Sequence, residues 1–214
     1  MTDKVDAFVA SSKAAAERIA FDHLVMIRLH MESLVSLVDQ LTKMPFSPHS
    51  VIKLRHAFLD IRMLIEELML LSVSAHKEAG IVVSRSLRTD YQADRKMSRL
   101  RALNARFFPD AIDVVPSDET EVAGKFVQVS DEYITEQEAK LFYNKCGEKL
   151  HANWKQTSAE TYTKDVADLH RFIRLTSRLL ETFEIDISGQ GYMMLGHLNL
   201  GESGPPSLFS AREK

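Results

Sequence analysis

Residues 1–43 contain neither glycine nor proline, and this run restricts the fold more than any other feature of the chain. From Thr2 to Lys43 the apolar residues recur at steps of three and four, which is the spacing of one buried helix face. They are Ile19, Leu24, Ile27, Met31, Leu34, Leu37, Val38 and Leu41. The run predicts one long helix or two in sequence.

A second helix is predicted after a short loop. Two prolines interrupt residues 44–48, and Ser47 before Pro48 suits an N-cap followed by the first helical position. We expect this helix to run from about His49 to Ala79, with Gly80 as its stop. It is apolar nearly all round, which is typical of a central, buried helix. The short loop predicts that the two helices pack antiparallel.

Two later segments also have helical spacing. Thr89 or Asp90 is expected to cap a helix that runs to about Asn104. Thr161 or Thr163 is expected to open another helix. The apolar positions of that last helix are Val166, Leu169, Phe172, Ile173, Leu179, Leu180 and Phe183.

Short β segments are predicted in two places. Pro109 and Pro116 stop the helical pattern, and residues 111–115 and 125–129 are typical of strands around a polar turn. The tail predicts two more strands, within residues 192–200 and 207–210. Because a lone hairpin is only marginally stable, we expect all of these segments to join one small antiparallel sheet.

The predicted fold class is therefore mainly α. We expect an antiparallel helical bundle with a small antiparallel β-sheet, or hairpins, from about residues 111–129 and 192–210. The length is that of one ordinary domain. Residues 1–214 would form that single domain, with a helical core from about 2–105 and 135–185.

The helix predicted after Thr135 carries the most distinctive residues. Thr135 and Glu138 have the spacing of a capping box, so a helix should begin there. One face is apolar, and its residues are Ala139, Phe142, Tyr143, Cys146 and Leu150. A polar strip consists of Asn144, Glu148 and His151. Gly147 lowers helix stability by about 1 kcal/mol relative to alanine, which predicts a close approach of another backbone.

Residues 142–153 read F-Y-N-K-C-G-E-K-L-H-A-N. Through Ala152 they resemble the motif Y-x-K-C-G-x-x-L-H-A-x-N of an uncharacterised family of bacterial helical proteins. The resemblance extends to Leu54-Arg55, Ile61-Arg62, Ile65-Glu66 and the run from Asn104 to Pro109. It covers much of residues 50–155.

A more distant resemblance is to the HEPN helical domains, many of which are RNA-cleaving toxins or defence factors. Their motif is an arginine and a polar residue followed by a histidine, whereas here Lys145 precedes His151. The resemblance implies a homodimer that cleaves RNA without metal. His151 would be the general base or acid, Lys145 would stabilise the phosphate charge, and Asn144 would orient the substrate.

Lysine lacks the bidentate fork of arginine, so a non-catalytic binding or interaction module is the favoured function. In that hypothesis His151 caps the carbonyls at the end of its helix. Arg62 and Glu66, at i and i+4 on the second helix, are expected to form a structural ion pair. The alternative is that Arg62 supplies the positive group that the lysine motif lacks.

The charge balance gives no general attraction to nucleic acid or to an anionic membrane. Basic residues number 27 and acidic residues 30, so the net charge is −3. A local basic cluster lies between Arg85 and Arg106, and Arg95, Lys96 and Arg99 are its candidates for binding RNA. The alternative is a solvated helix face.

No cofactor or metal is expected. The single cysteine, Cys146, excludes an internal disulfide and a cysteine metal cluster, and no phosphate-binding or metal-binding motif is present. His23 and His30 share a face but stand about 10 Å apart along a helix, too far for one metal ion. The chain begins without a secretory signal and has no apolar run long enough for a membrane span, so we expect a cytoplasmic protein.

Overall fold

The computed structural model describes residues 2–78, 93–116, 124–151, 158–187, 191–201 and 204–212. These residues form mostly helices with one small antiparallel sheet. The helices are α1 (Thr2–Lys43), α2 (Pro48–Glu78), α3 (Ala93–Leu103), α4 (Glu136–Leu150) and α5 (Ala159–Glu181). The strands are β1 (Asp110–Pro116), β2 (Gly124–Gln128), β3 (Phe183–Asp186), β4 (Tyr192–His197) and β5 (Ser207–Arg212).

Helices α1 and α2 pack against each other in opposite directions. His23 on α1 contacts Glu67 on α2 at 2.6 Å, and His30 contacts Asp60 at 3.0 Å. Residue numbers therefore increase along α1 in the direction in which they decrease along α2, so the two helices are antiparallel. α1 is a single helix, as one of the two predicted alternatives required. Six of the eight predicted apolar residues are buried, whereas Ile19 is exposed and Leu37 is partly buried. Ala20, which was not predicted, is buried as well.

The start of α2 confirms the predicted cap. The Ser50 amide donates a hydrogen bond to Oγ of Ser47 at 3.2 Å, and Pro48 is the first helical residue. Proline suits that place because its missing N–H would have no partner in the first turn. The predicted stop, Gly80, lies outside the described residues.

α2 is central to the core. It contacts α1, α3, α4 and α5, and its fully buried residues include Phe58, Ile61, Leu64, Ile65 and Leu68. Burying a side chain of this size contributes about 1.5–3 kcal/mol of hydrophobic free energy. The prediction of a buried helix is confirmed.

The sheet has the strand order β2-β1-β3-β4-β5, and each neighbouring pair is antiparallel. The predicted segments near 111–129 and 192–210 therefore do share one sheet. They are joined by β3, which was not predicted. β3 pairs with β1 on one side and with β4 on the other.

Placing Phe183 in a helix was wrong. Helix α5 ends at Glu181, and Thr182 has the extended backbone angles φ −149° and ψ 129°. After it the buried residues alternate, with Phe183 and Ile185 buried and Glu184 and Asp186 partly exposed. Phe183 continues the helical spacing of Leu179 and Leu180 by chance, and the period of two becomes visible only over the next residues.

The predicted start of α5 was also wrong. The Thr161 amide donates to Oγ of Ser158 at 3.1 Å, which makes Ser158 the N-cap and Ala159 the first helical residue. A hydroxyl three residues before the amide satisfies one of the free donors of the first turn. Helix α3 was predicted to begin near Thr89 or Asp90, which lie outside the described residues. No helix in the described part of the chain is both long and apolar enough to cross a membrane.

Candidate functional site

Helix α4 begins as the sequence predicts. The Glu138 amide donates to Oγ1 of Thr135 at 3.3 Å, and the Thr135 amide donates to Oε2 of Glu138 at 3.2 Å. This reciprocal pair is a complete capping box, which satisfies two backbone donors that a helix start leaves free. The cap fixes the register of every later residue in the motif.

The two predicted faces of α4 are confirmed, with one difference at its end. Ala139, Phe142, Tyr143 and Cys146 are buried, whereas Leu150 is only partly buried against the core. In the polar strip, Asn144, Glu148 and His151 are exposed. The motif therefore presents its polar residues to solvent.

The tight packing predicted around Gly147 was wrong. A β-carbon placed on this glycine would meet no atom within 4 Å, apart from its own helix and its chain neighbours. Gly147 is partly exposed, on the side of the helix between the core face and the polar strip. The described residues therefore impose no steric requirement for glycine at this position.

Lys145 and Lys149 share one buried carboxylate. Nζ of Lys145 lies 3.0 Å from Oδ1 of Asp165 on α5, and Nζ of Lys149 lies 2.6 Å from Oδ2 of the same residue. The Asp165 side chain is only 2% exposed. Lys145 also donates to the carboxylate of Asp168, one turn further along α5. We call Lys145, Lys149, Asp165 and Asp168 the lysine–aspartate cluster.

The cluster holds Lys145 in its charged form. Burial alone would lower the pKa of this ammonium, but hydrogen bonds to Asp168 and Asp165 outweigh burial, and the pKa lies above its usual value. The two lysines and two aspartates have no net charge together. Lys145 therefore stays protonated near neutral pH, and its charge is already balanced inside the protein.

An open groove of about 580 Å³ lies between α4 and the first turns of α5. Its lining residues are Leu141, Asn144, Lys145, Glu148, Lys149, Glu160, Thr161, Lys164 and Asp165. Three of them are basic and three acidic, so the groove has no excess positive charge to attract a phosphate backbone.

The structure brings Asn144 and Lys145 together in this groove, but His151 does not line it. His151 is the C-cap of α4, and its backbone N–H donates to the Gly147 carbonyl at 3.3 Å. Its ring is exposed and makes no hydrogen bond to any residue in the described part of the chain. Of the three residues predicted to form a catalytic site, Asn144 and Lys145 line this groove, and their catalytic role stays a prediction.

Arg62 has a different set of partners. Its Nε lies 3.2 Å from Oε1 of Glu66, and the Tyr143 hydroxyl donates to the same oxygen at 2.9 Å. The guanidinium also lies 4.9 Å from the centre of the Tyr143 ring. The predicted ion pair is present and links α2 to α4, and Arg62 does not line the groove that contains Lys145.

Cys146 is fully buried, close enough to both Arg62 and Lys145 for their charges to act on its thiol. Burial raises the pKa of its thiol to about 12, although Arg62 and Lys145 act in the opposite direction. At neutral pH almost none of it is thiolate, which is the reactive form. This agrees with the usual role of a buried cysteine as a small apolar residue.

The three candidates for RNA binding on α3 do not form one exposed surface. Arg95 and Arg99 are exposed one turn apart, whereas Lys96 is buried. Successive helix positions are rotated by about 100°, so a neighbour of an exposed residue can face the core. Two other arginines of the region bind carboxylates, Arg101 with Glu136 at 2.5 Å and Arg106 with Glu184 at 3.0 Å.

The histidines on α1 contact carboxylates of α2 in separate pairs. Within the described ranges, no group of three or more histidine, cysteine, aspartate or glutamate side chains could hold a metal ion. His23 and His30 each bridge the two helices instead. Their shared face serves helix pairing.

Asp165 and Asp168 are the site residues that the sequence analysis missed. A signal was present, since two aspartates three apart on α5 match two lysines four apart on α4. Each pair lies on one face of its helix. From the sequence alone this spacing does not show that the two pairs meet, because it does not show that α4 and α5 are neighbours.

The chain matches no protein-family profile, no curated protein and no solved structure.

Proposed function

We propose that this chain is a non-catalytic interaction module in which the polar residues of α4 hold α5 in place. The observation that carries the proposal is that the Lys145 ammonium is already bound by Asp165 and Asp168. A lysine that stabilises phosphate charge must offer its own charge to the substrate. Here that charge contributes to the packing of two helices.

Releasing Lys145 toward a substrate would be costly. Asp165 is buried, and among the described residues its carboxylate would keep Lys149 alone as a charged partner. Separating one member of a buried ion pair costs several kcal/mol, because the remaining charge has lost its hydration. Both lysines reach solvent in part, which reduces this cost but does not remove it.

The position of His151 supports the same proposal. A general base needs a neighbour that orients its ring within hydrogen-bond reach of the reacting group. The ring of His151 is exposed at the end of α4, and its backbone rather than its ring caps the helix. The HEPN-like ribonuclease is the competing hypothesis, and it requires a second motif helix to complete the site.

The contacts of α2 with the other helices support the finer architecture that we propose, an antiparallel helical bundle with α2 at its centre. Such a bundle leaves long helix faces available to protein partners. In this proposal the groove beside Lys145 follows from packing two charged helix faces.

An assay with single-stranded RNA in the presence of a chelator tests the proposal. We expect no cleavage by the wild-type chain, because Lys145 is bound by two carboxylates and the ring of His151 has no orienting partner among the described residues. His151→Ala should change the free energy of unfolding by less than about 0.5 kcal/mol, because its ring has no partner in the described structure. Lys145→Ala should lower the melting temperature, whereas Lys164→Ala in the same groove should not.

Metal-independent cleavage by the wild type that is lost in His151→Ala would overturn the proposal. Lys145→Arg adds a second criterion. In a ribonuclease it should preserve or raise the rate, because arginine offers a bidentate phosphate contact. In an interaction module it affects stability alone.

A further inference from the structure

The hairpin of β1 and β2 extends beyond the rest of the sheet. β1 pairs with β3 only at Asp110 and Ala111, whereas its pairing with β2 runs from Ile112 to Pro116. Past Ile112 the sheet is therefore a ribbon of two strands. The ribbon extends away from the helical core, as the change from a buried Ile112 to an exposed Val114 on the same face shows.

Both faces of this ribbon carry exposed apolar side chains. Val114 and Phe126 are directly opposite each other on one face and are 57% and 49% exposed. Val115 and Val127 lie on the other face and are 38% and 39% exposed. A two-stranded hairpin is marginally stable by itself, and one with apolar residues on both faces gains stability by burying them.

The outer edge of β2 is the second observation. β2 is the first strand of the sheet order, and it pairs with no strand except β1 in the described part of the chain. An edge strand presents backbone N–H and C=O groups that can pair with another strand. Among the described residues, the ribbon thus combines exposed apolar side chains with a strand edge that pairs with no further strand.

We propose that a second copy of this chain pairs its β2 antiparallel with β2, about a two-fold axis that passes beside Phe126. A two-fold axis perpendicular to the sheet keeps each side chain on its own face, so Phe126 lies opposite the partner's Phe126. Each Phe126 is already beside Val114. Four apolar side chains then form one continuous row across the joined ribbons.

The residues of β2 select this register. Centring the axis on Lys125 would place two lysines opposite each other, which is destabilising. Centring it on Val127 would place Phe126 opposite the amide of the partner's Gln128. With the axis at Phe126, Lys125 lies opposite the partner's Val127 and an aromatic pair forms at the centre, which is a favourable cross-strand contact.

The occupant is a second copy because the edge is complementary to itself. A C2 interface uses the same patch on both subunits. Each residue of the strand must therefore form a favourable pair with the residue at the mirrored position of an identical, antiparallel strand. The sequence of β2 does so at Phe126. The pairing would join two five-stranded sheets into one antiparallel sheet, and it does not depend on whether α4 is catalytic.

Disulfide trapping tests the register. In Phe126→Cys the two thiols lie directly opposite across the axis, within the reach of a disulfide. We expect a covalent dimer on mild oxidation of this variant. The native Cys146 is buried and should give no cross-link. Phe209→Cys is the matched control, because Phe209 is equally exposed on β5, the opposite edge strand.

Light scattering on the wild-type chain provides a measurement that needs no variant. We expect a dimer at roughly 100 μM, where micromolar dissociation constants are saturated. Phe126→Lys should raise the dimer dissociation constant by at least about tenfold, because two lysines then face each other. Far-ultraviolet circular dichroism should stay unchanged, since Phe126 is not part of the core. A monomeric wild type, or equal cross-linking through Phe209→Cys, would overturn the proposal.

Discussion

The ring of Phe183 on β3 lies against the α-carbon of Gly196 on β4. The two residues are directly opposite in the sheet, and a β-carbon on Gly196 would come within 2.6 Å of Cε1 of the ring. Phe183 is completely buried in the hydrophobic core, so its ring can move only by displacing its packed neighbours. Glycine at 196 is therefore a steric requirement of the strand pair.

Two glycine substitutions should have opposite effects. Gly196→Ala forces the Phe183 ring to move in a packed core and should lower the free energy of unfolding by about 1–3 kcal/mol. Gly147→Ala meets no neighbouring atom and should raise it by up to about 1 kcal/mol, the difference in helix propensity. Urea denaturation of both variants measures the two effects. A stabilised Gly196→Ala would contradict the position of the ring.

Asp165→Asn should destabilise the chain more than Asp168→Asn. Asp165 is buried and bridges two lysines, whereas the Asp168 carboxylate is partly exposed. We expect losses of about 2–3 kcal/mol and at most about 1 kcal/mol, below the 3–5 kcal/mol of a fully buried pair because solvent screens both lysines. Thermal unfolding at low and high salt measures the difference. Equal losses would mean that Asp165 is not the central member of the cluster.

His76 should make stability depend on pH. Its Nδ1–H donates to the Ser72 carbonyl at 2.7 Å, and Nε2 accepts from the Asn104 amide at 3.2 Å. Burial lowers the pKa of His76, although the Ser72 hydrogen bond and Asp186 act to raise it. The unfolded chain therefore binds this proton more readily than the folded chain.

The sign of that dependence follows directly. Stability should be fully present above the unfolded histidine pKa, about 6.5, and should fall as the pH decreases through that value and below it. Chemical denaturation between neutral and mildly acid pH measures the slope. His76→Gln should flatten the slope. A wild-type stability that rises on acidification would contradict the prediction.

The Cys146 thiol should be unreactive in the folded protein. Its pKa is raised to about 12 by burial, and no part of the residue is accessible. A thiol reagent at mildly alkaline pH should modify the chain only after unfolding in denaturant, when the pKa returns to about 8.5. Rapid modification under native conditions would show that the α2–α4 contact opens easily.

Local patterns were enough to predict most of the helical architecture. The threonine and glutamate of the α4 cap, and the serine and proline before α2, act on backbone groups a few residues away. Helical spacing likewise depends on one element alone. Such features can be predicted because their cause and effect lie within one turn of helix.

The missed features depend on residues far apart in the chain. β3 has only four residues, and its position is set by pairing with β1 and β4 rather than by its own composition. The ion pairs of Lys145 with Asp165 and Asp168 could not be predicted from α4 alone, because both partners belong to α5. The phosphate role that the HEPN resemblance implies for Lys145 stays a prediction. A residue type defines what a side chain can do, and tertiary packing decides which of those interactions it makes.

The pairing of β1 with β3 should determine when the sheet forms during folding. Asp110 pairs with Glu184 and Ala111 with Phe183, and the whole of α4 and α5 lies between them in sequence. Such distant contacts form only after the intervening chain has lost its entropy, so the helices should fold first and the sheet should close late. Ala111→Gly should then speed unfolding and leave the refolding rate nearly constant in stopped-flow measurements. Until that closure, the β1–β2 hairpin and the three strands β3, β4 and β5 each expose an additional edge, and newly made chains are at their greatest risk of aggregation in this interval.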